Sequence, residues 1–318
     1  MVRFTAARRA FALVSLMTGA AVFAIALLGA PAATALPIAP PTAAVRRNAP
    51  VVAPRLRVDF LAVGHGDAIF VTSPVGKTVL IDGGLAEAGP SVAEAVRART
   101  AAPIDLVMLT HRHADHLGGL ATVIDRQGAR LFMDAAFPHP SPAYQALLTL
   151  LDDRRVPMRQ AVRGRAIDLG GGVRMVLLTP PEPLITGSRS DVNANSLVVR
   201  LEHGRVRILL TGDAEAATEA WLLATGADVR ADVLKLAHHG GRHSSTMRFL
   251  RAVAPRVAIA SSGPERDSGG GYLHPETRER VATVGARLLR TDLDGTITIW
   301  SDGQDVTVET HHAMAGRP

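Results

Sequence analysis

The sequence contains one short segment with an unusual density of metal-binding side chains. It reads His-Arg-His-Ala-Asp-His, and its four potential ligands are His111, His113, Asp115 and His116. The segment follows the apolar run 104–109, which is short and rich in leucine and β-branched residues and therefore predicts a buried strand. From 117 onward apolar residues recur at helical spacing. Imidazole and carboxylate ligands without thiolate suit zinc, iron or manganese, so the segment predicts a metal site on a strand-to-helix turn.

Polar side chains also follow three other apolar runs, each at the carboxyl end of a predicted strand. Asp82 follows the run 79–81, Asp213 follows 208–212, and the pair His238-His239 follows 233–237. A single aspartate in such a place is often only a turn or helix-cap residue. Four strand ends with the same arrangement indicate instead a preorganised site on rigid elements.

Composition excludes several other kinds of site. The 318 residues are 47% hydrophobic, enough for one large domain, and they contain no cysteine, so disulfides, thiolate ligands and a cysteine nucleophile are excluded. The net charge of +6 falls to +3 without the three arginines at positions 3, 8 and 9. With only 4% aromatic residues, the chain has no basic, aromatic-rich stripe for stacking single-stranded nucleic acid.

The first 54 residues differ in composition from the remainder. Residues 1–35 predict an export signal of the twin-arginine type, because Arg8 and Arg9 precede an apolar stretch and 33–35 form a small-x-small cleavage site. The alternative is an uncleaved helix that anchors the chain and contacts the membrane. Residues 36–54 predict a Pro/Ala-rich linker, and 55–311 predict a single folded domain.

Within that domain, strands and helices alternate after a β-rich opening, which favours an α+β or layered mixed fold. Strands are predicted at 56–63, 68–72, 78–81, 104–109, 130–133, 173–178, 196–201, 206–211, 232–237, 257–260, 287–289 and 296–300. Helices are predicted at 91–99, 117–126, 143–151, 214–224 and 275–284.

Taken together, these motifs resemble the metallo-β-lactamase-fold hydrolases. Among these, the sequence is similar to the hydrolase domain of the bacterial DNA-uptake channel family (ComEC-like). The resemblance extends from about 56 to 310 and does not include the membrane-spanning channel region of that family. It is carried by the segments 60–68, 80–84, 109–119, 210–213, 234–240, 273–275 and 290–292, with Gly295.

The resemblance implies an α+β fold of the four-layer αβ/βα sandwich type with a dinuclear metal site at one edge of the sheets. It implies two divalent ions, with Zn²⁺ favoured and Mn²⁺ the alternative. The first ion would be held by His111 and His113. The second would be held by Asp115, His116 and one of the pair His238 and His239, of which His239 is favoured and His238 would face substrate. Asp213 would bridge the ions, and Asp82 would support the site.

One departure from the broader superfamily concerns a third histidine at the first ion. The corresponding stretch, 190–196, contains no histidine, as in the ComEC-like group, and offers Asp191 or Asn195 as substitute ligands. Lys235 lies close to the site in this family. His65 occupies a turn where the family more often has glutamine, and it is either a substrate contact or a plain turn residue.

The function implied is hydrolysis of a phosphodiester, of which DNA is one example, by a water activated between the two ions. Asp115 would orient that water as well as bind metal. His274 would contact a phosphoryl oxygen or protonate the leaving group, or else only begin a helix. Two alternatives stay open: a hydrolase of lactones, β-lactams or other esters and amides, and a non-catalytic secreted DNA-binding protein. Nothing in the sequence indicates an obligate protein partner, and the export signal predicts a secreted or cell-surface protein.

Overall fold

The computed structural model describes residues 55–138, 140–263 and 273–311. The predicted export signal at 1–35 and the linker at 36–54 lie outside these residues. Every helix within the described ranges is too short or too polar to cross a bilayer.

The strands of the described chain form two mixed sheets. They are β1 (Leu56–Phe60), β2 (Ile69–Thr72), β3 (Thr78–Ile81), β4 (Leu106–Leu109), β5 (Phe132–Asp134), β6 (Met158–Gln160), β7 (Ala166–Gly170), β8 (Val173–Leu177), β9 (Val199–His203), β10 (Val206–Leu210), β11 (Val233–Lys235), β12 (Val257–Ala260), β13 (Arg287–Arg290), β14 (Thr296–Ser301) and β15 (Val306–His311). The first sheet has the order β15-β14-β1-β2-β3-β4-β5-β6, and the second has the order β13-β12-β11-β10-β9-β8-β7.

Helices cover the outer faces of the sheets. They are α1 (Gly89–Arg97), α2 (Ala114–Leu117), α3 (Leu120–Gln127), α4 (Pro142–Asp153), α5 (Asp191–Ala194), α6 (Ala216–Ala224), α7 (Met247–Val253), α8 (Pro275–Thr283) and α9 (Thr291–Asp294). Short 3₁₀ turns occupy Ala86–Ala88 and Ala237–Gly240.

Alternating side chains of the central strands build the layers. In β4, Leu106 and Met108 belong to the core between the two sheets, whereas Val107 and Leu109 pack under the helices of the first sheet. In β10, Ile208 faces the core between the two sheets, whereas Leu209 packs under the helices of the second sheet. Strands buried on both faces become continuous apolar runs, which is why they are recognisable in the sequence. The predicted α+β fold of the αβ/βα sandwich type is confirmed.

The differences from the predicted elements have local causes. Strands β6, β7 and β15 were not predicted, because these segments are largely exposed and carry little apolar pattern. The helix predicted at 117–126 is two helices, α2 and α3, with Gly118 and Gly119 between them. A Cβ atom on Gly119 would lie 2.0 Å from the carbonyl oxygen of Gly83, so only glycine permits this approach. The loop after β3 is also hydrogen-bonded to α2, since the Gly83 amide donates to the carbonyl oxygen of His116 at 2.7 Å.

Parallel strands bring the polar strand ends to one edge. In the first sheet β3, β4, β5 and β6 run parallel, and in the second β10, β11, β12 and β13 do so. The carboxyl ends of β3 and β4 carry Asp82 and the His111–His116 segment. Those of β10 and β11 carry Asp213 and the pair His238-His239. Four chain segments that are distant in sequence therefore reach the same edge of the sandwich.

Candidate metal centre

The segment after β4 directs its ligands as the spacing predicts. His113 has extended backbone angles, φ −73° and ψ 152°, and is the last residue before α2. In this conformation side chains two residues apart lie on the same side, and Nε2 of His111 is 3.1 Å from Nδ1 of His113. The start of α2 then turns Asp115 and His116 toward a second point.

Two groups of ligand atoms converge, and one residue belongs to both. Within each group every ligand atom lies within 4.8 Å of the others, the first being His111, His113 and Asp213, and the second Asp115, His116, Asp213 and His239. Oδ2 of Asp213 is 3.7 Å from Nε2 of His111, and Oδ1 is 3.3 Å from Nε2 of His116. Oδ2 is also 3.6 Å from Nε2 of His239, so the carboxylate of Asp213 lies between the two groups and is close to ligands of both. A further convergent group consists of Asp67, Asp82 and His116, and the contacts of its members are given below.

The residues fit divalent cations by their chemistry and by their hydrogen bonding. Nδ1 of His239 donates to the carbonyl oxygen of Ser261 at 2.9 Å, and Nδ1 of His116 is 2.8 Å from Oδ2 of Asp82. A histidine whose Nδ1 is held in this way presents the lone pair of Nε2. Nε2 of His116 and Oδ1 of Asp213 are buried and have no hydrogen-bond partner among the described residues. Buried polar atoms in that condition are expected where an ion completes the site.

In the first group the electrostatics favour a neutral His111 beside a charged carboxylate, whereas in the second group Asp213 raises the pKa of His116 and of His239 against the effect of burial. Burial, and next the neighbouring His116, lower the pKa of the His111 imidazole well below its ordinary value. Burial opposes ionisation of Asp213, but His116 and His239 outweigh it and hold the pKa of that carboxyl well below its usual range. His111 thus keeps a lone pair, and Asp213 keeps its charge, which are the forms that bind metal.

Asp82 lies behind the ligands rather than among those of the two groups that share Asp213. Its Oδ1 accepts the Thr110 amide at 2.8 Å, and its Oδ2 accepts the Thr110 hydroxyl at 2.7 Å. The same Oδ2 is 2.8 Å from Nδ1 of His116. Asp82 has φ +61°, a left-handed conformation that directs its carboxylate across the strand end. The supporting position that the sequence suggested agrees with these contacts.

A buried ion pair lies beneath the second group of ligands. Nζ of Lys235 contacts Oδ2 of Asp67, and both side chains are essentially inaccessible. Nζ also donates to the carbonyl oxygen of Gly212 at 3.3 Å and lies 3.9 Å from Oδ1 of Asp213. Oδ1 of Asp67 is 3.5 Å from Nδ1 of His239. Asp67 was missed as a site residue, although the Gly-His-Gly-Asp turn that contains it was visible in the sequence.

Two other histidines lie at the rim of the centre. Nε2 of His65 is 2.9 Å from Oδ2 of Asp115, and its ring is 4.6 Å from that of His239. His65 is thus more than a plain turn residue. His238 is the more exposed member of its pair, and its Nε2 is 3.9 Å from Oδ2 of Asp213. It lies outside the converging groups, whereas His239 lies within one.

Three predicted residues are not brought to the ligand atoms by any described contact. Both carboxylate oxygens of Asp191 accept backbone amides, from Gly187 and Ser188. Asn195 exchanges hydrogen bonds with the backbone of Ile185. These side chains shape the loop before β9, and neither belongs to the converging groups of ligand atoms. Nδ1 of His274 accepts the Glu276 amide at 3.3 Å, which is the helix-start position that the sequence left open.

The turn before Asp67 provides a test of how closely the metal centre is packed. A Cβ atom on Gly66 would lie 2.1 Å from the carbonyl oxygen of Asp115, whereas one on Gly64 would meet nothing within 4 Å. Both glycines have positive φ, +120° and +76°. We expect Gly64→Ala to cost about 1 kcal/mol of unfolding free energy from backbone strain alone. Gly66→Ala should cost about 1–3 kcal/mol more from overpacking.

Urea unfolding of both variants would measure these costs, and elemental analysis after dialysis would show whether Gly66→Ala also loses metal. Equal unfolding free energies for the two variants would contradict the close contact between this turn and the ligand helix.

Comparison with known proteins places the site in context. The family model described as the metallo-beta-lactamase superfamily matches residues 61–263. ComE operon protein 3 of Bacillus subtilis (strain 168) is 27% identical over 260 residues, covering 76% of this chain and 32% of that protein. The competence protein ComA of Neisseria gonorrhoeae is 28% identical over 237 residues, covering 74% and 30%. The chain thus spans about a third of the length of these relatives.

Two solved structures are similar to this chain at low sequence identity. The metallo-beta-lactamase fold protein YhfI from Bacillus subtilis superposes with a TM-score of 0.48 at 12% identity, covering 74% of this chain and 95% of that one. Igni18, a metallo hydrolase from Ignicoccus hospitalis, gives a TM-score of 0.48 at 17% identity, covering 76% and 98%.

Proposed function

We propose, given that this chain belongs to the metallo-beta-lactamase superfamily, that it is an exported phosphodiesterase or nuclease that depends on two divalent metal ions. The observation that carries the proposal is the position of Asp213, whose carboxylate lies between two groups of ligand atoms and belongs to both. Two cations that share one carboxylate suit a phosphoryl centre, where both an attacking and a leaving oxygen need stabilisation.

Each group would hold one ion, with His111, His113 and Asp213 at the first position and Asp115, His116, Asp213 and His239 at the second. Bound divalent ions would supply Lewis acidity that acidifies water and polarises a phosphoryl oxygen. Zn²⁺ is favoured by the histidine-rich donor set, and Mn²⁺ is the alternative. Asp115 would also orient the attacking water. Its Oδ2 lies between His65, at 2.9 Å, and Nε2 of His239, at 3.2 Å, and these contacts fix the direction of the carboxylate.

The substrate class is argued from the first position and from the relatives. That position offers two histidines and no third, which we take as favouring phosphodiesters over lactones or β-lactams. One relative is named a competence protein, and this name, with the resemblance to the DNA-uptake channel family, supports DNA as the first substrate to test. Export is supported by the twin-arginine-like segment at 1–35, and anchoring by an uncleaved helix is its alternative.

The test is a comparison of substrates on the purified mature protein, with metal content measured on the same samples. Zinc- and manganese-loaded protein should cleave bis(p-nitrophenyl) phosphate and DNA faster than nitrocefin or a homoserine lactone. His113→Ala should lose phosphodiester cleavage, and His311→Ala, at the far edge of the first sheet, should retain it. Faster turnover of nitrocefin or the lactone, or metal-loaded protein that binds DNA without cleaving it, would overturn the proposal.

A further inference from the structure

A buried carboxylate lies beside the rim histidine of the metal centre, and it was assigned no role from the sequence. Glu215 is two residues after Asp213, and its side chain is only 7% exposed. Its Oε1 accepts a hydrogen bond from Nδ2 of Asn193 at 3.2 Å. The same Oε1 is 3.2 Å from Nδ1 of His238. Asn193 is itself buried, in the short helix α5. Three chain segments therefore meet behind one imidazole.

The backbone at the histidine pair directs both rings into the site. His238 has φ 51° and ψ 46°, and His239 has φ 55° and ψ 19°, two consecutive left-handed residues that are not glycine. This conformation is unfavourable for residues with a Cβ atom and persists only where the surroundings impose it. Hydrogen bonds from the His238 amide to Gly212 and from the Gly241 amide to His238 fix it here. The outcome is two ring centroids only 6.2 Å apart, one buried and one at the rim.

We propose that Glu215 and Asn193 are positioning residues for His238. They hold the Nδ1 side of the imidazole against the buried carboxylate, so that Nε2 faces the shared carboxylate of Asp213 from the rim. In that place Nε2 accepts a hydrogen bond from the attacking water. The role of the water rests on the proposed function, whereas the orientation of the ring does not.

The chemistry of imidazole supports this assignment. Nδ1 of His238 is buried and makes no hydrogen bond of good geometry among the described residues, although Oε1 of Glu215 is 3.2 Å away. A small rotation of the ring completes that hydrogen bond, and the bond made at one ring nitrogen sets which nitrogen carries the proton. A carboxylate is an acceptor only, so the nitrogen of His238 that bonds to Glu215 is the one that carries the proton. The lone pair is then on Nε2, which lies 3.9 Å from Oδ2 of Asp213. The side-chain amide of Asn193 donates to Oε1 of Glu215 and so helps to fix that carboxylate. A carboxylate in the place of this amide would instead repel Glu215.

The same contacts explain the stretch 190–196, where many superfamily members have a metal-binding histidine. Its helix α5 is anchored at the centre through the Thr218 hydroxyl, which donates to the carbonyl of Ala194 at 2.7 Å. From this anchored helix the side-chain amide of Asn193 donates to Glu215. The stretch therefore acts on the site through His238.

The test uses Glu215→Gln, which keeps size and removes charge. The glutamine amide can accept from Asn193 and donate to Nδ1 of His238, so the proton of the ring should move to Nε2. Long-range ¹H–¹⁵N spectra of the zinc-loaded protein distinguish the two tautomers, and His238→Gln identifies the signals. We expect Nδ1–H in the unmodified protein and Nε2–H in Glu215→Gln. We also expect a kcat about 10- to 100-fold lower, with bound zinc and KM little changed.

The control is Glu219→Gln. Glu219 is a buried carboxylate in α6, and it accepts the Thr246 amide at 2.9 Å. It contacts no imidazole among the described contacts. It should leave the tautomer of His238 unchanged. If Glu215→Gln does not fold, Asn193→Ala is the second variant, and it should lower kcat while metal content is kept.

An unchanged tautomer in Glu215→Gln, or loss of bound zinc in that variant, would overturn the proposal. A chain that cleaves no phosphodiester at all would refute the proposed function instead, since the tautomer measurement needs no substrate.

Discussion

Replacement of Asp213 by alanine should remove metal from both positions rather than from one. The two groups of ligand atoms share only this side chain, with Oδ2 toward His111 and Oδ1 toward His116. Its loss leaves two histidines at the first position and breaks the link between the positions. We expect the bound metal to fall from about two ions per chain to fewer than one after dialysis against a chelator. Phosphodiester cleavage should fall about a thousandfold or more, since several kcal/mol of transition-state stabilisation depend on the ions.

Two further variants make this result specific. His113→Ala removes a ligand of the first position only and should keep close to one ion. Asp302→Ala, an exposed loop aspartate on a different part of the chain, should keep both. Inductively coupled plasma analysis and a competitive chelator titration would measure the three proteins together. Retention of two ions by Asp213→Ala would contradict a shared ligand.

Removal of metal from the unmodified protein should have a parallel effect on stability. Ligands that bind only the folded chain stabilise it by mass action, and the apparent melting temperature then depends on metal concentration. We expect EDTA to lower the melting temperature of the unmodified protein and to have a much smaller effect on Asp213→Ala. An equal shift in both proteins would indicate that EDTA acts elsewhere.

The sequence predicted much of this site because its ligands follow strands that are buried on both faces. Such strands are continuous apolar runs, and the residue after each run is easy to locate. His111, Asp213 and His239 were found in this way. The convergence of their strand ends also followed from the α+β pattern, since parallel strands end at one edge.

The contacts behind the ligands could not be predicted in the same way. Asp67 and Lys235 are more than 160 residues apart, and their pairing depends on how the two sheets pack. Glu215 resembles any helix-start acid, and its contact with His238 exists only because two consecutive residues adopt left-handed angles. Left-handed angles are uncommon for any residue other than glycine, so two in succession cannot be predicted from the residue types. The backbone hydrogen bonds of Asp191 and Asn195 were also not predicted, although polar side chains in loops most often bond to nearby backbone.

Replacement of Lys235 by methionine should destabilise the fold more than any other change of a lysine in this chain. Lys235 is fully buried against Asp67, and methionine fills similar volume but leaves that carboxylate without its cation. Breaking a buried pair by removing one partner costs about 3–5 kcal/mol. The only other lysine, Lys77, is 57% exposed and lies 3.1 Å from Asp105. Lys77→Met should therefore cost less than about 1 kcal/mol.

A double variant separates the unpaired charge from the loss of packing. Asp67→Asn together with Lys235→Met leaves no buried charge in this pair, so part of the lost free energy of unfolding should return. All variants would be unfolded with urea in the presence of EDTA, so that differences in bound metal do not contribute. A double variant that is less stable than Lys235→Met would show that the pair matters through shape rather than charge.

The dependence of this effect on pH follows from the carboxylate. Burial raises the pKa of Asp67, but Lys235 outweighs burial and, with His239, holds that pKa well below its ordinary value. A carboxyl whose pKa is lower in the folded state than in the unfolded state stabilises the fold above its unfolded value, and this stabilisation is lost as the pH falls through the folded value. Without the ammonium group, burial dominates and the pKa of Asp67 rises, so the carboxyl becomes neutral at a higher pH. The difference in unfolding free energy between the unmodified protein and Lys235→Met should therefore be largest near neutral pH and should narrow on acidification. A difference that stays constant from neutral to acidic pH would mean that the ammonium of Lys235 does not stabilise the charge of Asp67.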